Sequence, residues 1–204
     1  MKRSNLLTTL LIITLLASCG HQNNESKRNS ESGETIESTQ SPEGSIVTAI
    51  TDYETYLEMR SALLKINPEE FGMTKSESNN QLFGIVLDVS QGDSIMTISA
   101  YQTGDVSVYY STGMLYMAGV NVKKFRDMAI KYTNLSQEYI ELAEKTDNIN
   151  LPESEFVKFY FVTNNGLYLY QDKLNSIRES DSHWNVLIDR GMEIVKAYKE
   201  AITN

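Results

Sequence analysis

The chain is poor in the residues that most catalytic and metal chemistry uses. Its 204 residues include one cysteine, Cys19, and two histidines, His21 and His183. A lone cysteine cannot close an intrachain disulfide, and two histidines exclude a histidine-rich metal site. No G-x-S-x-G elbow, no G-x-x-x-x-G-K-S/T phosphate loop and no H-E-x-x-H pair occurs. Positive charge is scarce as well: 18 Lys and Arg stand against 27 Asp and Glu, a net charge of −9. Such a balance is a poor match for nucleic acid, which attracts basic patches. There is no internal repeat with a period of 20–50 residues.

What is present begins at the N-terminus. Met1, Lys2 and Arg3 make a short cationic start, and an apolar run of 11 residues follows from Leu6 to Leu16, interrupted by Thr8, Thr9 and Thr14. That is short of the roughly 20 apolar residues a spanning helix needs, and it fits the central region of a secretory signal peptide. The run ends in Leu16-Ala17-Ser18-Cys19-Gly20, which resembles the lipobox of bacterial lipoproteins. The resemblance implies cleavage before Cys19 and a diacylglycerol on its thiol. The mature chain then has no thiol left for a nucleophile or thiolate site, and loses Lys2 and Arg3, leaving 16 basic against 27 acidic residues and a net charge of −11. Its contact with the membrane is expected through acyl chains rather than through a charged face. Gly20 rather than an aspartate follows the cysteine, which in such lipoproteins resembles outer-membrane sorting. The periplasmic face is the favoured location, with the cell surface as the alternative.

Three regions follow: a signal peptide at 1–18, the lipidated cysteine and a tether at 19–45, and one globular domain at 46–204. Residues 20–45 carry too little apolar surface to offset ordering entropy, so they read as a disordered spacer reaching roughly 25–30 Å. His21 lies in it and is given no role. In the domain, Thr51 and Glu54 signal a first helix, ended by Asn67-Pro68. Three strands follow, Leu82–Val89, Ser94–Tyr101 and Val106–Ser111, joined by turns at Ser90–Asp93 and Gln102–Asp105. A long helix is expected from an N-cap at Asn121 to about Glu144, and a hairpin from Glu155 to Asp172. A last helix runs from about Ser182 to Ile202. The expectation is an α+β fold with a mainly antiparallel sheet of about five strands, in the order helix, three strands, helix, two strands, helix. Profilin-like and roadblock-like domains have comparable parts with a different strand grouping, and that analogy carries no function.

In the hairpin, a three-residue loop with Gly166 in the left-handed region groups Val157, Phe159, Phe161, Leu167 and Leu169 on one face, and is preferred to a two-residue turn at Asn165-Gly166. That register places Lys158, Tyr160, Tyr168 and Tyr170 together on the reverse face, with Tyr109 extending it. If exposed, this is the candidate binding surface, because tyrosine offers a large area with a polar tip. If a helix covers it, the tyrosines are core.

A second candidate is the loop from Ser111 to Gly119, including Thr112 and Gly113. The segment Tyr109–Gly119 resembles an uncharacterised group of bacterial domains in which a strand ends in a serine-threonine-glycine segment before a helix, with no known activity. Its amides near a helix N-terminus suit an anion, whereas its glycines also serve plain close packing. His183, beside Trp184, reads as a first-turn residue near a cap. Asp88, Gln91 and Asp93 are turn residues off the calcium-loop spacing. Met96, Met114, Met117 and Met128 read as core filler, so no metal and no cofactor is assigned.

The leading expectation is a membrane-anchored lipoprotein displaying a non-enzymatic binding domain. One form is an immunity-type protein whose acidic surface suits a basic protein partner. The alternatives are an envelope hydrolase using the Ser111–Gly119 loop with His183, and a structural envelope component.

Overall fold

The computed structural model describes residues 46–75, 80–179 and 182–203. The signal peptide, Cys19, His21 and the tether lie outside the described residues, as do Ser180 and Asp181. In chain order the elements are β1 (Ile46–Ile50), α1 (Tyr53–Leu64), β2 (Leu82–Gln91), β3 (Ser94–Tyr101), β4 (Val106–Tyr110), β5 (Met114–Ala118) and α2 (Lys123–Ser136). These are followed by β6 (Glu144–Lys145), β7 (Phe156–Thr163), β8 (Gly166–Lys173), α3 (Leu174–Glu179) and α4 (Trp184–Thr203). Short 3₁₀ turns at Pro68–Phe71 and Gln137–Leu142 complete the list.

The α+β class and the antiparallel sheet hold, but the sheet has eight strands among the described residues rather than about five, in the spatial order β1-β5-β4-β3-β2-β7-β8-β6. The chain order is strand, helix, four strands, helix, three strands, two helices rather than helix, three strands, helix, two strands, helix. The added strands are β1, β5 and β6. The first two are five-residue apolar runs too short to distinguish from loop or helix by periodicity. The third is Glu144-Lys145, without any apolar signal. The expected long helix stops at Ser136 and tightens into the 3₁₀ turn, and its N-cap is Val122 rather than Asn121. The first helix is capped by Asp52, whose carboxylate accepts from the Thr55 amide at 2.7 Å, not by Thr51.

β2 lies at the centre, hydrogen-bonded to β3 on one side and β7 on the other, and nine of its ten residues are buried. Such a strand has two covered faces. Ile85, Leu87 and Val89 sit opposite Ala100, Ile98 and Met96 of β3 and opposite Phe161, Phe159 and Val157 of β7. With Val108, Tyr116 and Ala118 they form one apolar core with Phe125 and Tyr132 of α2 and Leu187, Val195 and Tyr198 of α4. At Gly191 of α4 a Cβ would come within 3.0 Å of a Leu87 methyl and 3.2 Å of an Ile98 methyl, so glycine sets the close approach of helix to sheet.

The other face carries Asp88, Thr97, Ser99, Ser107, Tyr109, Lys158 and Tyr160, and α1 lies against it. Both faces of the sheet are therefore covered, by α2 and α4 on one side and by α1 on the other.

The hairpin register differs from the expected one. Gly166 does have a positive φ of 112°, but the turn is Asn164-Asn165, with Thr163 paired to Gly166. This pairs Phe161 with Tyr168 and Phe159 with Tyr170. Trp184 decides it: its ring stacks on Tyr170 at 3.7 Å between centroids and meets Phe159 at 5.1 Å. The aromatic bodies of Tyr168 and Tyr170 serve as apolar surface beneath α4, a role assigned from sequence to Leu167 and Leu169.

Candidate functional site

The register divides the five candidate binding residues between two faces. Tyr168 and Tyr170 are half-buried on the α4 side, and Tyr170 donates its hydroxyl to Asp172 at 3.4 Å. Tyr109, Lys158 and Tyr160 lie on the opposite face and are buried. They do not form one exposed tyrosine surface.

Lys158 and Tyr160 belong instead to a buried polar cluster that sequence reasoning did not assemble. Asp88, 0% exposed, and Arg60, 3% exposed, form an ion pair. Arg60 donates to one carboxylate oxygen from Nε at 2.8 Å and from Nη2 at 2.5 Å. Thr97 donates to the other at 2.6 Å, and the Tyr56 hydroxyl in turn donates to Thr97 at 2.9 Å. The Asp88–Thr97 and Asp88–Lys158 cross-strand pairs bring these groups together from three adjacent strands, and Arg60 comes down from α1.

Two cations, Arg60 and Lys158, face one buried carboxylate here, with the exposed Glu153 acting on Lys158 from the segment before β7. The excess is met by carbonyl oxygens of the segment 143–155, which joins the Gln137–Leu142 turn to β7 and passes along this face. Arg60 Nη1 donates to the Ile149 carbonyl at 2.6 Å. The Asn150 carbonyl accepts from Lys158 Nζ at 3.0 Å and from the Tyr160 hydroxyl at 2.9 Å, with Arg60 Nη2 at 3.4 Å. Burial and the neighbouring Arg60 charge lower the Lys158 pKa, while burial pushes the Tyr160 phenol up to about 12. Arg60 is drawn down by burial but raised further by Asp88, and stays charged.

The 143–155 segment has only the two residues of β6 in regular structure, yet it is tied down along its length. The Thr146 amide donates to Leu167, Asn148 to Thr146 Oγ1 and Asn150 to Asn148 Oδ1, while Pro152 is buried. With the turn before it, the segment exposes Glu138, Glu141, Glu144, Asp147, Glu153 and Glu155 around a single exposed cation, Lys145. Leu142, 57% exposed, lies among them. This acidic strap has a sequence signal only in its charge; its anchoring depends on Arg60 and Asp88, 89 and 62 positions away from Ile149 and Asn150 respectively.

The Ser111–Gly119 loop is mostly structural. Residues 114–118 of it are β5, not loop. The Ser111 hydroxyl accepts from the Ile95 amide at 2.9 Å, and the Ser111 amide donates to the Ile95 carbonyl at 2.9 Å. Thr112 is exposed. Gly113 has φ 107°, and a Cβ there would fall 2.4 Å from the Thr51 carbonyl oxygen, which explains that glycine. Gly119 has open space around it. His183 is exposed at the start of α4, with its carbonyl accepting from the Tyr139 hydroxyl at 3.1 Å. Its neighbour Trp184 packs over β7 and β8, whereas Ser111 continues the line of β4 beside β3, three to four strands away, so about 14–19 Å of sheet separates the two residues. Among the described residues no group of three or more His, Cys, Asp or Glu side chains is placed to hold a metal ion.

These features define an α+β domain whose antiparallel sheet is covered on both faces and whose polar face clamps an acidic strap. Comparisons with protein-family models, with curated proteins and with solved structures find no match for it.

Proposed function

We propose that the chain is a lipid-anchored envelope protein, held through Cys19 and facing the periplasm, that displays a non-enzymatic binding domain. The acidic strap is the surface it offers to a basic protein partner, as an immunity-type protein would. The anchor reading rests on the lipobox-like Leu16-Ala17-Ser18-Cys19. The binding reading rests on one observation: a 13-residue segment with almost no regular structure is fixed by a buried Arg60–Asp88–Lys158–Tyr160 cluster. Long ordered loops on a rigid scaffold are where binding residues concentrate. Burying three charges is an expensive way to gain stability, and such clusters are better attested as devices that fix one arrangement. The segment fixed here exposes Glu144, Asp147, Glu153 and Glu155, and exposed carboxylates steer and hold an oppositely charged surface. The hydrolase alternative loses support because Ser111 spends its hydroxyl on a backbone amide and stands away from His183.

The test is capture of partners from envelope and culture-supernatant extracts by the lipid-free mature chain. The expected result is a single basic protein, recovered in a salt-sensitive manner and lost with Glu144→Lys, Asp147→Lys and Glu153→Lys combined. Ser111→Ala and His183→Ala should leave capture intact. A hydrolytic activity abolished by those two alanine changes would overturn the reading.

A further inference from the structure

We propose that β1 is a dimerisation edge, pairing antiparallel with β1 of a second copy of this chain about a two-fold axis through Thr48. The two ends of the sheet are built differently. At one end β8 is capped by β6, whose residues are Glu144 and Lys145, and it closes on Asp172 and Lys173. Charged side chains and very short outer strands are the means by which proteins prevent edge-to-edge pairing. At the other end β1 is Ile-Val-Thr-Ala-Ile, and β5 beside it is Met-Leu-Tyr-Met-Ala. Neither has a charge or a proline, and their register runs without a bulge from Ile46↔Ala118 to Ile50↔Met114. Among the described residues no strand pairs with the outer side of β1, so a chain of net charge −9 presents an uncharged edge there to its own copies.

The sequence of β1 is complementary to itself. Antiparallel pairing centred on Thr48 sets Ile46 against Ile50, Val47 against Ala49, and Thr48 against Thr48. Every pair matches in character, and opposed residues share a face. Ile46 packs against the core on the α2/α4 side, and Ile50 points to that same side but is 81% exposed, with Met114 beside it 37% exposed. In the dimer the Ile50 of each copy lies against the partner's Ile46. Five paired residues bury less than the 1,200–2,000 Å² typical of a stable complex, so association is weak in dilute solution and favoured where copies are confined to one surface. The acidic strap lies near the opposite end of the sheet, beside β6, and each copy keeps its own strap free.

The experiment is disulfide cross-linking of the full-length chain in its native membranes, with Thr48→Cys. Directly opposed residues in an antiparallel pair have Cα atoms about 4.5–5.5 Å apart, inside the range a disulfide spans. The parent chain controls for Cys19, and Asp93→Cys, in the exposed β2–β3 turn, controls for chance collision. The expected result is a covalent dimer from Thr48→Cys under mild oxidation, at least tenfold above both controls. Thr48→Lys, at an exposed position and checked for unchanged thermal unfolding, should reduce amine cross-linking and fluorescence transfer between labelled copies to the level of dispersed monomers. Dimer yield from Thr48→Cys no greater than from Asp93→Cys overturns the proposal, as does transfer unchanged by Thr48→Lys. Fractionation reports separately on the lipid anchor: a chain found soluble yet cross-linked through Thr48→Cys refutes the anchor and retains the dimer.

Discussion

Leu87 and Asp88 are neighbours on β2 and both are fully buried, yet they point into different kinds of interior. Leu87 faces Ile98, Phe159 and the Gly191 segment of α4. Asp88 faces Arg60, Thr97 and Lys158, and through them Tyr56 and the strap. The apolar side is held by area removed from water, a force without direction that tolerates repacking. The polar side is held by hydrogen bonds with specific partners, each with one geometry. The first accounts for why the chain folds, and the second for where α1 and the strap come to rest.

The largest effects should come from breaking the polar side one partner at a time. Asp88→Ala leaves Arg60 and Lys158 without their buried counter-charge and should cost about 3–5 kcal/mol in urea unfolding, no less than the roughly 2–5 kcal/mol of Leu87→Ala. Arg60→Met, Asp88→Leu and Lys158→Met together remove all three buried charges and should cost far less than Asp88→Ala, about 1 kcal/mol or a slight gain. Yet they should release the strap, seen as faster proteolysis and amide exchange over 143–155. A triple variant as unstable as Asp88→Ala would mean that the charged cluster supports the fold itself, and the contrast between the faces would fail. On the apolar side, Gly191→Ala should cost about 1–3 kcal/mol by pushing α4 off Leu87 and Ile98 while leaving strap exchange unchanged.

Alkaline pH sharpens the same contrast. Burial pushes the phenols of Tyr109 and Tyr160 up to about 12 from the usual value near 10. Between those values the unfolded chain has lost protons that the folded chain keeps, so stability present below pH 10 is lost as pH rises through 12. Lys158, its pKa lowered, acts with the opposite sign, returning some stability as pH climbs from that lowered value toward 10.5. Tyr160→Phe should make the alkaline decline shallower by up to about 1.4 kcal/mol per pH unit, measured by urea titrations from pH 9 to 12. An unchanged slope would place that phenol in contact with water.

The apolar face was the more legible of the two in the sequence. The stripe of α4 and the strands β2, β3 and β4 have the periods that burial imposes and appear where those periods place them. The stripe of α2 holds only to Ser136, and Leu142, in line with it, is exposed. The outer strands β1, β5 and β6 do not, because two-residue and five-residue elements are defined by their neighbours rather than by themselves. The hairpin register was misread because Phe and Tyr were sorted by polarity. Trp184 uses Tyr170 as a ring, and its contact outweighs the sorting. The polar cluster had no local signal at all. Arg60 sits in a helix and Asp88 in a strand 28 positions on, and only the folded sheet brings Lys158 and Tyr160 alongside.

The smallest effect tests whether the apolar side is as indifferent to polar partners as this contrast requires. Tyr132 and Tyr198 are both fully buried there, but the Tyr198 hydroxyl donates to the Val106 carbonyl at 2.7 Å, whereas the Tyr132 hydroxyl has no hydrogen-bond partner among the described residues. An unmatched buried hydroxyl carries its desolvation cost with nothing in return. Tyr132→Phe should therefore be neutral or stabilising by up to about 1 kcal/mol, while Tyr198→Phe should lose about 1–2 kcal/mol and leave Val106 unsatisfied. Thermal unfolding of the two variants side by side decides it. Equal losses would mean that a water or an unrecognised partner serves Tyr132, and that the apolar side also depends on a directed bond beneath α4.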